Sequence, residues 1–176
     1  MPSALNLSWI TPRLAVGGSF SLSAVASLAE LHAVRAVVDL RSEACDDEGA
    51  LRRAGIAFLH LPTEDQCAVS LERLDQGVAF AIEHLHRSER VLLHCEHGIG
   101  RSVLLALCVL TAEGMDPLEA LRLVKVRREV CSPNPVQYEA WVQWLRRHKA
   151  ASASPWSPPD FESFSAVAYR HLTSGG

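Results

Sequence analysis

His94-Cys95-Glu96-His97-Gly98-Ile99-Gly100-Arg101-Ser102 stands between two apolar runs. Val91-Leu92-Leu93 leads into it, and Val103 to Leu110 leads away. The first run is almost continuously apolar, as a central parallel strand buried on both faces is. The second, within Ser102 to Thr111, is apolar nearly all round, which predicts a deeply buried helix. The stretch between is then a strand-to-helix turn, and Gly98 and Gly100 let it curl without Cβ clashes.

A turn of this kind points several backbone N–H groups at one spot, at the positive end of a helix dipole. Glu96, His97, Gly98, Ile99, Gly100 and Arg101 are therefore the expected phosphate-binding loop. Arg101 adds a planar guanidinium that holds two oxygens at once. Cys95 lies at the floor of the loop, where the field that attracts an oxyanion also favours a thiolate. That yields a nucleophile aimed at a bound phosphorus. The Ser102 hydroxyl is placed to donate to the same sulfur and ease its departure from a thiophosphate intermediate. His94 is expected to bond loop backbone and support the site, since a thiolate already formed needs no base.

Outward from the turn, the pattern alternates. Trp9-Ile10 and Leu14-Ala15-Val16 predict an N-terminal hairpin or edge strand. Ser21 or Ser23 is expected to cap a helix through Val25, Leu28 and Leu31. Ala36 to Leu40 is a buried strand by composition. A charged helix is expected from about Cys45 to Ala54, stopped by Gly55. Ile56 to Leu61 is a further strand, ended by Pro62, and Thr63 to Val69 a loop. Ser70 caps a helix with apolar residues at Leu71, Leu74, Val78, Ile82 and Leu85. Asp116-Pro117-Leu118-Glu119 starts a helix reaching about Val130. After Pro133-Asn134-Pro135, a last long helix carries Tyr138, Trp141, Val142 and Leu145. Residues 150–159 read as a Ser/Pro/Ala linker. Phe161, Phe164, Ala168 and Leu172 fall on one stripe of a short terminal helix. The sum is an α/β domain with a mostly parallel sheet and a helical C-terminal half. Ligands of such sheets bind beyond the carboxyl ends of the strands.

Composition excludes several classes. A chain of 176 residues that is 48% hydrophobic holds a core of one domain and is not disordered throughout. Seventeen Lys and Arg against 20 Asp and Glu give a net charge of −3, against a bulk binder of nucleic acid. No apolar run is long enough to span a membrane, and the first residues lack a secretory pattern. Five cysteines without C-x-x-C spacing argue against a disulfide framework or a zinc knuckle. A cytoplasmic setting and a monomer are the defaults, with no nucleic acid or membrane as partner.

The run His94-Cys95-(five residues)-Arg101-Ser102 resembles the phosphate-binding loop of the cysteine-dependent protein tyrosine phosphatase superfamily. Gly98-Ile99-Gly100-Arg101 is its common Gly-Ile-Gly-Arg form. Ile10 to Gly17 and Val38-Asp39-Leu40-Arg41 are similar to the first strands of its small dual-specificity branch. The resemblance runs from about Trp9 to Lys149, so that residues 1–149 are expected to form the catalytic domain and 150–176 a linker and extension. It implies that fold, a phosphocysteine intermediate, no cofactor and no metal. It also implies a phosphorylated protein or small phosphomonoester as substrate.

The resemblance further implies a general acid, an aspartate on a loop about thirty residues before the cysteine. Asp65, in Leu61-Pro62-Thr63-Glu64-Asp65-Gln66, holds that position. Glu64 competes with it, and Asp46 and Asp47 are weaker candidates on another loop. Glu96 is expected to turn its carboxylate away from the anion. The loop carries no lysine, which disfavours a polyphosphorylated inositol. Cys67 and Cys45 are candidate redox partners of Cys95, Cys108 is core, and Cys131 has no assigned role. Arg122, Lys125, Arg127 and Arg128 read as a solvated basic helix face. Competing classes are a phosphatase of RNA 5′-triphosphate or lipid, a rhodanese-type sulfurtransferase, and a binding-only pseudophosphatase.

Overall fold

The structure, a computed structural model, describes residues 4–174. Leu7–Trp9 (β1) and Leu14–Gly17 (β2) pair antiparallel. After them come Val25–Glu30 (α1), Val34–Arg41 (β3), Glu48–Arg53 (α2), Ala57–Thr63 (β4), Leu71–His86 (α3), Arg90–His94 (β5) and Arg101–Ala112 (α4). Four helices end the chain: Pro117–Arg127 (α5), Pro135–Ser152 (α6), Phe161–Ala168 (α7) and Arg170–Thr173 (α8). The sheet order is β1-β2-β5-β3-β4, parallel except for β1. The α/β class, the mostly parallel sheet and the helical C-terminal half are those the sequence predicts.

Alternation along the strands divides the core between two faces of the sheet. Ala15, Leu92 and Val37 face α1 and α2, with Leu28 and Leu51 packed against them. Val16, Leu93 and Val38 face the other side, where α4 is buried along almost its whole length. Gly17, His94, Asp39 and His60 stand in register across the carboxyl ends of the four parallel strands. The loop of residues 95–100 begins at the centre of this row.

Several boundaries differ from expectation, each for a local reason. Ser21 and Ser23 cap nothing; their hydroxyls bond each other at 2.8 Å, and a short 3₁₀ turn at Leu22–Ala24 precedes α1. Helix α2 starts at Glu48, not near Cys45, with Asp47 as its cap. The preceding backbone is drawn away because the Asp46 N–H donates to Asp39 at 3.0 Å. Strand β4 continues through Pro62 to Thr63. It is an edge strand, where a missing N–H is tolerated. Helix α5 stops at Arg127 because Arg128 leaves helical geometry.

The basic helix face is also corrected. Lys125 is fully buried and Arg128 is 6% exposed, so two of the four cations are internal. Lys125 Nζ donates at 2.6 Å to the carbonyls of Cys131 and Ala168, tying α7 to α5. Helix α6 runs on to Ser152, and Trp156, within the expected linker, is buried. Of the terminal stripe, Phe164 and Ala168 are buried while Phe161 and Leu172 stay exposed.

Candidate active site

The turn after β5 builds a cradle from its own backbone. Helix α4 begins with no side-chain cap, since Gly100 occupies the N-cap position. Its first N–H groups are thus left to an anion or water. Gly98 takes a left-handed φ of +67°, and a Cβ there would lie 2.6 Å from the Gly17 backbone. A Cβ on Gly100 would meet the Gln137 amide at 2.6 Å. The clash at Gly98 is with backbone and demands glycine, whereas at Gly100 the Gln137 amide would have to move.

Cys95 is 3% exposed. Its sulfur accepts a hydrogen bond from the Gly98 N–H at 3.3 Å and lies 3.3 Å from Ser102 Oγ. Ser102 itself is fully buried. Arg101 is 1% exposed and held from several sides. It donates to both oxygens of Glu43, at 2.8 and 2.6 Å, and to the Thr63 carbonyl at 2.7 Å. Asp65 approaches it at 3.2 Å. Arg101 Nε is buried with no partner. The hydrogen bonds from Arg101 hold the Glu43 carboxyl at a pKa of about 2. In turn, burial would lower the Arg101 pKa, but Glu43 outweighs it and the pKa is raised.

Beneath the loop lies a buried polar network. His94 is fully buried. Its Nε2 is 2.6 Å from Asp46 Oδ2 and its Nδ1 3.2 Å from the Cys95 carbonyl. Arg41 Nη2 bridges Asp39 and Asp46, and Arg41 Nη1 reaches Glu96. Glu96 also accepts from Ser19 Oγ, so its carboxylate turns out of the cradle as expected. Burial would raise the Asp39 pKa, but Arg41 and His94 hold it below its ordinary value. Asp39, Asp46 and His94 stand close enough to ligate a metal, but Arg41 already binds both carboxylates.

A cavity of about 260 Å³ opens over Cys95, lined also by Asp65, Gln66, His97, Ile99, Gly100, Ser132, Asn134 and Gln137. Of the predicted site, Cys95, His97, Ile99, Gly100 and Asp65 thus come together at one opening. Glu64, the competing carboxylate, is exposed and sits 3.9 Å from the Cys67 sulfur. The Cys45 thiol bonds the Asp46 carbonyl; burial first, then Asp39 and Asp46, push its pKa up. Burial pushes the Cys131 thiol up to about 12.

Four residues around the site were missed by sequence reasoning: Glu43, Asp46 as the partner of His94, Arg128 and Gln137. Gln137 forms a capping box with Asn134 and donates to the Cys67 carbonyl, tying α6 to the Asp65 loop. The pattern Asn134-Pro135-Val136-Gln137 announces that cap, but not what it leans on.

Residues 21–115 match the family described as Tc-R-P, "Polymorphic toxin system, DSP-PTPase phosphatase". Human "Phosphatidylglycerophosphatase and protein-tyrosine phosphatase 1" is 25% identical over 163 residues, 87% of this chain and 80% of the relative. Human "Dual specificity protein phosphatase 22" is 27% identical over 109 residues, 61% of this chain and 59% of the relative. A crystal structure of Tk-PTP in the active form is similar at a TM-score of 0.74 and 25% identity, over 84% of this chain and 99% of that one. PTPMT1 in complex with PI(5)P has a similar fold, with a TM-score of 0.76 at 23% identity, over 81% of this chain and 96% of that one.

Proposed function

The chain belongs to the polymorphic toxin system DSP-PTPase phosphatase family, and we propose that it hydrolyses phosphotyrosine, and phosphoserine or phosphothreonine, on proteins through a phosphocysteine intermediate on Cys95. The observation that carries this reading is the convergence on one sulfur of the Gly98 N–H and the Ser102 hydroxyl, beside a buried Arg101 whose Nε has no partner. A tetrahedral oxyanion supplies what that nitrogen lacks.

In the first step the Cys95 thiolate attacks phosphorus and the ester P–O bond breaks. The amides of residues 96–101 and the Arg101 guanidinium hold the phosphoryl oxygens. The Asp65 carboxyl gives its proton to the leaving oxygen. In the second step water attacks the phosphocysteine, Asp65 takes the water's proton, and the S–P bond breaks. Ser102 donates a hydrogen bond to the departing sulfur, and inorganic phosphate leaves.

Protein substrates are favoured by the mouth of the site. Asp65 lines the cavity and Glu43 pairs with Arg101 beside it, with side chains 54% and 39% accessible, and no lysine lines the cavity. A polyphosphorylated headgroup would meet carboxylates. A lipid phosphomonoester is the second reading, favoured by the name of the human relative above. The test is a panel of phosphotyrosyl and phosphoseryl peptides, phosphatidylglycerophosphate vesicles and nucleotides, with Cys95→Ser trapping in lysate. Turnover of peptides and capture of phosphoproteins are expected. Turnover of the lipid alone would replace the reading, and no turnover of any phosphomonoester would end it. Asp65→Asn should slow poor leaving groups far more than an activated aryl phosphate, and equal losses on both would remove the role from Asp65.

A further inference from the structure

We infer that Arg128, at the end of α5 and outside the loop of residues 94–102, is a positioning residue that aims the phosphate loop's amides at the Cys95 sulfur. The inference rests on Cys95 being the nucleophile proposed above. The guanidinium lies behind the loop. Its Nε donates to the Gly98 carbonyl at 2.8 Å and its Nη2 to the His97 carbonyl at 3.0 Å. The same fork is held by Asn6 Oδ1 at 2.8 Å and Ser8 Oγ at 3.2 Å.

One peptide unit carries the connection. The carbonyl of His97 and the N–H of Gly98 belong to the same planar trans amide, so they point in opposite directions. Arg128 holds the carbonyl end, and the N–H end donates to Cys95 Sγ at 3.3 Å. Gripping the carbonyl fixes the direction of the N–H. A cation on the carbonyl also polarises the amide, which strengthens its donation to an anionic sulfur. The grip on the Gly98 carbonyl orients the next amide, Gly98–Ile99, in the same way.

The charge inventory agrees. A buried guanidinium ordinarily has a carboxylate partner. Among the described residues Arg128 has none: its hydrogen bonds go to two carbonyls, a hydroxyl and a side-chain amide. Burial lowers its pKa, and the charges that offset this are the sulfurs of Cys131 and Cys95. Burial raises the Cys131 thiol to about 12, so the anion that Arg128 would serve, through the loop amides, is the Cys95 thiolate of the proposed mechanism. Room is reserved for the fork as well. A Cβ on Gly98 would lie 2.7 Å from Arg128 Nη2.

The test reads the sulfur directly, without a substrate. Alkylation of Cys95 by iodoacetamide is followed from pH 5 to pH 10 in the wild type, Arg128→Met, Arg128→Lys and Arg122→Met. Arg122 is exposed on the same helix and paired with Glu119. Arg128→Met should alkylate about tenfold more slowly at low pH and approach the wild-type rate at high pH. Arg128→Lys keeps the charge and should recover part of the loss, and Arg122→Met should follow the wild type. Inhibition by tungstate should weaken in step with the low-pH loss. A folded Arg128→Met whose profile coincides with the wild type overturns the inference, as does an equal slowing at every pH. If Arg128→Met does not fold, Asn6→Ala and Arg128→Lys carry the decision on the same two outcomes. Failure of the proposed activity is distinguishable, because the wild type would then alkylate at Cys95 and turn over no phosphomonoester.

Discussion

His94 Nε2 lies 2.6 Å from Asp46 Oδ2, in a contact where the two side chains are 0% and 4% exposed. The imidazole next to Cys95 is therefore clamped between a carboxylate and a backbone carbonyl. Asp46→Ala removes that clamp and half of the bridge through Arg41. Arg41 keeps Asp39 and Glu96, so the cost falls on the buried His94 ring nitrogen left without its partner, about 1–3 kcal/mol, read as a lower urea midpoint. Turnover should fall by more than the unfolded fraction explains. The neighbouring Asp47→Ala loses only the cap on α2, about 1 kcal/mol, and should keep its turnover. Similar activity losses in both variants would refute the clamp.

Glu43 and Arg101 give a prediction in pH. The Glu43 carboxyl is depressed to about 2 in the folded chain, below its ordinary value of 4.5. A depressed carboxyl contributes stability that is complete above the ordinary value and is lost as pH falls toward the folded one. The stability difference between wild type and Glu43→Gln should thus be constant above pH 5 and shrink between about pH 4.5 and 2. The contribution is modest, because the Glu43 side chain is 39% exposed. Urea midpoints at stepped pH measure it, and a difference that persists unchanged at pH 2.5 would contradict the pairing.

The C-terminal extension should behave as part of the folded body. Phe164 is fully buried against the rings of Tyr138, Trp141 and Tyr169. Phe164→Ala should lower stability by about 3–5 kcal/mol. Tyr169 donates to the Pro133 carbonyl at 2.6 Å, next to the cavity-lining Ser132 and Asn134. Tyr169→Phe should cost about 1 kcal/mol and raise KM more than it lowers kcat. A truncation before residue 160 that leaves the melting temperature unchanged would remove the extension from the body.

How much of this was legible depends on chain path. Cys95, Arg101 and Ser102 fall within eight residues, and one strand-to-helix turn brings them together. The strands and helices around that turn were legible for the same reason, since each is written in local periodicity. Asp46 and Glu43 come from the loop after β3, and Arg128 from beyond α5. Their approach to the loop is decided by packing, which spacing does not encode. A signal existed for one of them: Asp39 is a carboxylate inside an apolar strand, with Arg41 two residues later. A charge placed so asks for buried partners, and Asp46 shares Arg41 with it. Arg128 offered no such sign. It sits in a run of cations that reads as a wet surface, and only the fold turns it inward.

The carboxylates at the mouth have a consequence for ionic strength. Arg41, Arg101 and Arg128 are 7%, 1% and 6% exposed, so the site's guanidiniums act at contact distance. Glu43 and Asp65, which pair with Arg101, leave 39% and 54% of their side chains exposed, on a chain of net charge −3. A dianionic ester approaching through solvent therefore meets repulsion before attraction. Salt shortens the reach of exposed charges, to about 10 Å at 0.1 M, and leaves buried ones nearly untouched. Sodium chloride between 10 and 100 mM should raise kcat/KM for a small aryl phosphate, the opposite of a cationic funnel. Glu43→Gln should flatten that rise, and a fall in kcat/KM over the same range would show that the buried cations already govern the approach.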